Sequence, residues 1–205
     1  MHDHFFPNMP FGWTFYGVLI AFLAVAAYID TRRMVIPKWV SLSLLALGVV
    51  FNVARGAWLG SEDHVVWQLE PGGPWLGAAD GFLFALVGFL VGFIVFFVLW
   101  ILGVCGGGDL KLFAALSAWV GPSVFFWILA LSTVILLVLS LGHMMFQFLA
   151  RSPQALASLR ADKKHNGKVA RDPRRARGWT YAFPLALATA FILLWDVLGG
   201  QHLRS

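Results

Sequence analysis

Two aspartates lie at the ends of long apolar stretches of this chain. Asp30 closes the first stretch in "AAYIDTRRMVIPK", and Asp109 follows three glycines in "VCGGGDLKLF". Ionisable residues in or beside the apolar core of a membrane are costly, and they commonly mark functional sites. These two acids therefore raise the question of whether they work as a pair.

A pair of neighbouring carboxyl groups is suited to hydrolysis. Two such groups a few ångströms apart do not both ionise readily, so one holds a proton while the other takes a proton from water. The water then attacks a peptide carbonyl that the protonated acid polarises. The pattern predicts an aspartic hydrolase with Asp30 and Asp109 as catalytic residues. In the alternative interpretation, Asp109 caps a helix after a flexible hinge and Asp30 pairs with Arg32 or Arg33 at the membrane interface.

The residues around Asp109 have predicted roles as well. Three glycines precede it, namely Gly106, Gly107 and Gly108. We expect them to interrupt the helix, to leave backbone donors free, and to let an extended substrate backbone come close. Lys111 is expected to tune the acidity of Asp109 or, equally, to anchor the segment at the interface. Pro184 is expected to open the last apolar segment near the site, or to be an ordinary membrane proline.

Composition predicts the fold that must position these residues. Of 205 residues, 60% are hydrophobic and 12% are charged, whereas ordinary soluble domains are roughly a quarter charged. We therefore expect an all-α, polytopic membrane protein with about six transmembrane helices, forming one domain over residues 1–205. The expected segments are 11–29, 39–54, 81–103, 112–120, 123–149 and 179–198. The fourth is short and ends at Gly121-Pro122, so it is either re-entrant or half of a bent hairpin with the fifth.

Charge predicts the orientation. With six spans, 13 of the 15 Lys and Arg residues fall on one side, nine of them in a basic loop over residues 151–178. The positive-inside rule makes this side cytoplasmic, and it is the side of both aspartates. We expect the loop to contact anionic membrane lipid rather than nucleic acid. The one cysteine, Cys105, excludes a four-thiolate zinc site within the chain and is interpreted as a packing residue. No metal and no cofactor is expected.

Three segments carry a resemblance to a known family. "GGGDLKL" (106–112) resembles the G-x-G-D-x-K-L motif of the type IV prepilin leader peptidases, which are GxGD-type intramembrane aspartic proteases. "DTRRMVIPK" (30–38) resembles the first motif of that family, and "YAFPLALA" (181–188) resembles its last-helix segment. Lys38 stands where the family usually has Asn. The paired Cys-x-x-Cys insertion of larger members is absent, so the chain resembles the small members associated with tight-adherence (Flp) pili.

The resemblance implies a specific activity. It implies that Asp30 and Asp109 cleave the leader of a prepilin or pseudopilin, after a glycine and before a hydrophobic helix, at the cytoplasmic face of a bacterial inner membrane. It leaves open whether the product is also N-methylated with S-adenosylmethionine. Two further alternatives stay open on the residues alone: a transporter that uses the same acids as a proton relay, and an inactive assembly factor of a secretion apparatus.

Overall fold

A computed structural model describes residues 5–33, 36–70, 72–103, 105–150 and 182–198 of the chain. These residues form five helices and no strand: α1 (Met9–Arg33), α2 (Lys38–Ser61), α3 (Pro74–Ile101), α4 (Gly107–Ala150) and α5 (Ala182–Leu198). The predicted all-α class is confirmed. The predicted basic loop at 151–178 lies outside the described residues.

The helices have the length and composition of a membrane protein. Four of those described, α1 to α4, are long and apolar enough to cross a bilayer, while the apolar stretch Pro184–Trp195 of α5 is shorter. A helix rises about 1.5 Å per residue, so about 20 residues cross the hydrocarbon core. The polytopic membrane class agrees with the prediction, whereas the expected number of six spans is not confirmed.

The long helix α4 is interrupted in its middle. Gly121 has φ 77° and ψ 171°, and Pro122 follows it. The ring centroids of Phe113 and Phe125 lie only 6.4 Å apart, although a straight helix would separate their Cα atoms by about 18 Å. The chain therefore turns back sharply at Gly121. This confirms the predicted break and agrees with the bent hairpin that the sequence left open.

One side chain of α2 satisfies the backbone at this turn. In a continuous helix the carbonyl of Ala118 would accept from the N–H of residue 122, which is a proline and has none. The Nδ2 group of Asn52 donates to this carbonyl at 3.1 Å and to that of Trp119 at 3.2 Å. Trp119 in turn donates its indole N–H to the carbonyl of Leu44. A break inside the apolar bundle thus keeps its hydrogen bonds.

Helices α2 and α3 touch backbone to backbone. A Cβ added at Gly60 would lie 2.9 Å from the Cα of Gly77, and one added at Gly81 would lie 2.9 Å from the carbonyl carbon of Asn52. Gly56 meets Gly77 and Gly81 equally closely. Small residues spaced four apart allow such close approach of membrane helices, where dispersion and weak polar contacts replace the hydrophobic effect.

The end of α2 differs from the prediction. The apolar segment was expected to stop at Ala54, because Arg55 follows it. Instead α2 continues to Ser61, and Arg55 is completely buried. Its guanidinium carbon lies 3.8 Å from the ring centroid of Phe5 and 4.7 Å from that of Phe84. Aromatic faces attract a desolvated cation, so a charged residue does not have to end the helix here.

The start of α3 also differs from the prediction. The third segment was expected to begin at Gly81, with Asp80 in an outer loop, but α3 begins at Pro74. Asp80 is only 1% exposed. Its carboxylate accepts hydrogen bonds from the backbone N–H groups of Trp67, at 2.7 Å, and Gln68, at 3.1 Å. The acid therefore fastens the α2–α3 connection onto the bundle, which hydropathy alone does not reveal.

Replacing Asn52 by leucine should destabilise the bundle. The substitution keeps the number and branching of the side-chain heavy atoms but leaves the Ala118 carbonyl without its donor, so we expect the free energy of unfolding to fall by about 1–2 kcal/mol. Thermal unfolding in detergent, followed by tryptophan fluorescence, measures this. The matched control is Thr189→Val, which removes a hydroxyl bonded only within its own helix. An equal effect of the two substitutions would contradict the role of Asn52.

Candidate active site

Helix directions place both aspartates at one end of the bundle. Near the start of α1, Phe11 lies against Trp58, close to the end of α2, with ring centroids 6.3 Å apart. Helix α1 therefore runs antiparallel to α2. The side chain of Ile36 lies 3.6–3.7 Å from the position of a Cβ on Gly108, so the starts of α2 and α4 meet. We call this end, where α1 stops and where α2 and α4 begin, the site end.

Asp30 lies in the last turn of α1 and is 6% exposed. It precedes Ile36 by six residues. Because six residues of extended chain span at most about 21 Å, Asp30 lies within that distance of Ile36 at the site end. A carboxyl group that is removed from water needs polar partners or a functional reason, because desolvation of a charge is costly. The neighbouring Arg32 places its guanidinium carbon 5.4 Å from the ring centroid of Tyr28.

Asp109 is the third residue of α4 and is partly buried. Its Oδ2 atom accepts a hydrogen bond from the N–H of Gly106 at 3.1 Å, and the carbonyl of Gly106 accepts from the N–H of Leu110 at 3.2 Å. Gly106 therefore occupies the N-cap position, and Asp109 reaches back to it as the acid of a capping box does. The alternative in which Asp109 itself is the N-cap residue is wrong, because the N-cap lies three residues earlier, at Gly106.

The backbone conformation does not require glycine at any of the three positions before Asp109. None of them has a positive φ. A Cβ would lie 3.3 Å from Asp109 Oδ2 at Gly106, 3.9 Å from Trp100 Nε1 at Gly107 and 3.6 Å from Ile36 at Gly108. By contrast, a Cβ at Gly121 would overlap the ring of Phe84. The glycines were predicted to interrupt the helix before Asp109, but α4 already begins at Gly107, and only Gly106 lies outside it. Backbone conformation therefore does not explain the glycine run, and among the described residues a Cβ would be tightly packed only at Gly106.

The other two predicted site residues lie in different surroundings. Lys111 is exposed, while residues 112–121 of α4 are all buried. The first half of α4 is thus enclosed by the bundle, and it presents Asp109 and Lys111 at the site end. Pro184 is buried in the first described turn of α5. The functional roles expected for Lys111 and Pro184 stay predictions.

Comparison with known proteins identifies the family of the chain. The sequence profile described as the type IV leader peptidase family matches residues 17–141, more than half of the chain, including Asp30 and Asp109. The chain belongs to this family. No solved structure matches the chain.

Two curated relatives of this leader peptidase family member carry the same name, prepilin leader peptidase/N-methyltransferase. The protein of Xanthomonas campestris pv. campestris is 32% identical over 135 residues, which cover 61% of this chain and 39% of that protein. The protein of Pectobacterium carotovorum subsp. carotovorum is 32% identical over 114 residues, which cover 51% of this chain and 32% of that protein. The chain thus spans less than half the length of the curated relatives it matches.

In this family member, Cys105 packs beside the site end without the properties of a nucleophile. Its thiol lies 3.5 Å from the carbonyl oxygen of Phe96, to which it can donate. Burial and, to a smaller extent, the carboxylate of Asp109 raise the pKa of the thiol. A raised pKa keeps the sulfur protonated at neutral pH, and the thiol is far less nucleophilic than the thiolate. This agrees with the interpretation of Cys105 as a packing residue.

The buried polar residues of α2 were not predicted from the sequence. Ser41, Asn52 and Arg55 are all buried. Asn52 contacts α4, and Arg55 contacts the aromatic rings described above. A usable signal was present in their spacing, since polar residues that recur along one face of an apolar helix indicate a buried polar contact. Hydropathy averages over all faces and therefore conceals them.

We expect Cys105 to react slowly with iodoacetamide at neutral pH, because its thiolate is scarce. In Asp109→Asn the negative charge is removed and the pKa of the thiol falls, so alkylation at the same pH should accelerate. The chain has one cysteine, so all alkylation of a thiol reports on Cys105. A reaction rate in Asp109→Asn equal to that of the wild type would contradict the electrostatic contact between the two side chains.

Proposed function

We propose that this family member is a membrane aspartic endopeptidase that removes the leader peptide of a type IV (Flp-like) prepilin or pseudopilin. The proposed site is the pair Asp30 and Asp109, facing the cytoplasm from a bacterial inner membrane. The observation that carries the proposal is that two chain segments 79 residues apart in sequence supply a buried and a partly buried carboxyl group to one end of the bundle. Family membership makes hydrolysis of a leader peptide the reaction to test first.

The proposed chemistry needs only these two groups and water. The ionised carboxylate removes a proton from the water, whose oxygen forms a bond to the carbonyl carbon of the scissile peptide. The protonated carboxyl group donates its proton to the carbonyl oxygen. As the tetrahedral intermediate collapses and the C–N bond breaks, the carboxyl group that took the proton of the water gives it to the amide nitrogen. The other carboxylate takes a proton back from a hydroxyl group of the intermediate, and an acid and an amine leave. The two carboxyl groups are then ready for another turnover.

The glycine run supports the proposed approach of an extended substrate. Gly106 and Gly107 are exposed, and at Gly107 nothing among the described residues requires a glycine. A substrate segment that must pair with backbone beside the carboxyl groups would require small residues there, since a Cβ would occupy the space of its main chain. The proposed substrate has a short basic leader that ends in glycine, followed by a hydrophobic helix that remains in the membrane.

A second candidate function rests on the names of the relatives. Both curated relatives are called prepilin leader peptidase/N-methyltransferase, so the chain could also methylate the amine that cleavage exposes, using S-adenosylmethionine. The matched region covers less than half of either relative, and we therefore propose the peptidase alone. The mass of the mature product distinguishes the two, because methylation adds a methyl group to its amino terminus.

Asp30→Asn and Asp109→Asn should each abolish cleavage. The test is co-expression with a tagged reporter that has a basic leader ending in glycine and then an apolar helix, with cleavage read as a mobility shift. A loss of at least about a thousandfold is expected, because removing a group that acts directly on the reacting atoms has effects of this size. Equal amounts of variant and wild-type protein in the membrane fraction provide the control. Undiminished cleavage by either variant would eliminate the proposed pair.

Gly107→Ala should impair cleavage without harming the fold. The added methyl group meets nothing closer than 3.9 Å, and alanine favours a helix over glycine by about 0.5–1 kcal/mol, so thermal stability should be equal or higher. Turnover of the reporter should fall if the substrate backbone passes this residue. Gly142→Ala is the matched control, since Gly142 is an exposed glycine of the same helix with no neighbour within 4 Å. Unchanged turnover in Gly107→Ala would argue against substrate contact there.

A further inference from the structure

The hydroxyl group of Ser41 differs from the other buried hydroxyl groups of the described chain. Ser117 donates to the carbonyl of Gly88 at 2.6 Å, and Ser132 donates to that of Leu129 at 3.0 Å. Ser41 is 4% exposed, yet its Oγ atom has no hydrogen-bond partner among the described residues. A buried polar group without a partner costs free energy, so its presence requires an explanation.

The position of Ser41 on its helix directs it towards α4. It precedes Gly48 by seven residues, close to two helical turns, so both residues lie on the same face of α2. Gly48 packs directly against the indole ring of Trp119, and Asn52, one turn further along this face, donates to the carbonyl of Ala118. Ser41 therefore lies on the face of α2 that packs on the first half of α4.

The height of Ser41 along the bundle matches that of Asp109. Because Ile36 meets Gly108 at the site end, α2 and the first half of α4 run in parallel. Ser41 precedes Asn52 by 11 residues, or about 17 Å, and Asp109 precedes Ala118 by nine residues, or about 14 Å, so the two levels differ by about one residue pair along the helices. Asn52 and Ala118 are in contact. The register thus places Ser41 beside the first turn of α4, which carries Asp109.

We propose that the Ser41 hydroxyl is a third polar group of the active site and positions the water that Asp30 and Asp109 activate. This inference rests on the proposed function. A hydroxyl group both donates and accepts, and a water held in a protein interior makes hydrogen bonds to two to four polar partners. Two carboxyl groups and one hydroxyl would hold the water in a fixed orientation. The free energy cost of a buried serine without a protein partner is then recovered when the water binds.

The test replaces Ser41 by threonine and by valine, which have the same shape and differ only in the hydroxyl group. Any cost of the added methyl groups is common to both variants, so their comparison isolates the hydroxyl. We expect Ser41→Thr to turn over the glycine-leader reporter in detergent about tenfold faster than Ser41→Val, since one hydrogen bond to a reacting water contributes a factor of this order. The difference should lie in kcat, with KM similar in the two variants.

Thermal stability separates this role from a structural one. A hydroxyl that stabilises the fold would make Ser41→Val less stable than Ser41→Thr, whereas a hydroxyl without a protein partner makes Ser41→Val equally or more stable. We expect lower turnover together with an undiminished melting temperature in Ser41→Val. Ser61→Ala is the control. It removes a hydroxyl at the opposite end of α2, where it donates to the carbonyl of Trp58 at 2.6 Å, and it should leave turnover unchanged.

The outcomes distinguish this inference from the proposed function. If the wild type cleaves the reporter, Asp109→Asn does not, and the valine and threonine variants have equal kcat, then the role of Ser41 is wrong and the peptidase stands. If Ser41→Val loses turnover only in proportion to a lower melting temperature, the hydroxyl is structural and the inference fails. If the wild type does not cleave the reporter, the proposed function fails and the role of Ser41 fails with it.

Discussion

The architecture depends on keeping backbone hydrogen bonds satisfied around a helix break inside the bundle. Membrane interiors offer no water to an exposed carbonyl, so a break at that depth is tolerated only where protein groups replace the missing donors. Pro122 removes such a donor and Gly121 turns the chain back. Asn52 supplies the hydrogen bonds from another helix. The contact between α2 and α4 is therefore a requirement of the fold rather than one packing contact among many.

This requirement determines where the site end lies. Because Asn52 fixes the register of α2 against the first half of α4, the starts of both helices arrive at the same level, with Ile36 against Gly108. The end of α1 is tied to the start of α2 by a short connection, which brings Asp30 to the same end as Asp109. The chemistry proposed for the pair thus depends on a hydrogen bond more than two helical turns away from it.

The two ends of the bundle use charge in different ways. At the end away from the site, Arg55 lies over aromatic rings and Asp80 accepts backbone hydrogen bonds, so both are fully enclosed. At the site end, Asp109 is partly open and bonds only its own helix start among the described residues. Asp109 therefore keeps an access to its surroundings that Arg55 and Asp80 lack, and a carboxyl group needs such access to meet a ligand.

Residue types and their order were sufficient to predict the helical membrane class, the break at Gly121-Pro122, the family resemblance and the two candidate carboxyl groups. Each of these follows from local composition or from short motifs. Helix packing, by contrast, was needed to show that Arg55 and Asp80 belong inside helices, that Gly106 rather than Asp109 caps α4, and that Ser41 is buried. Burial, cap position and facing partners depend on how separate helices approach one another, and a linear pattern of residues does not contain that distance.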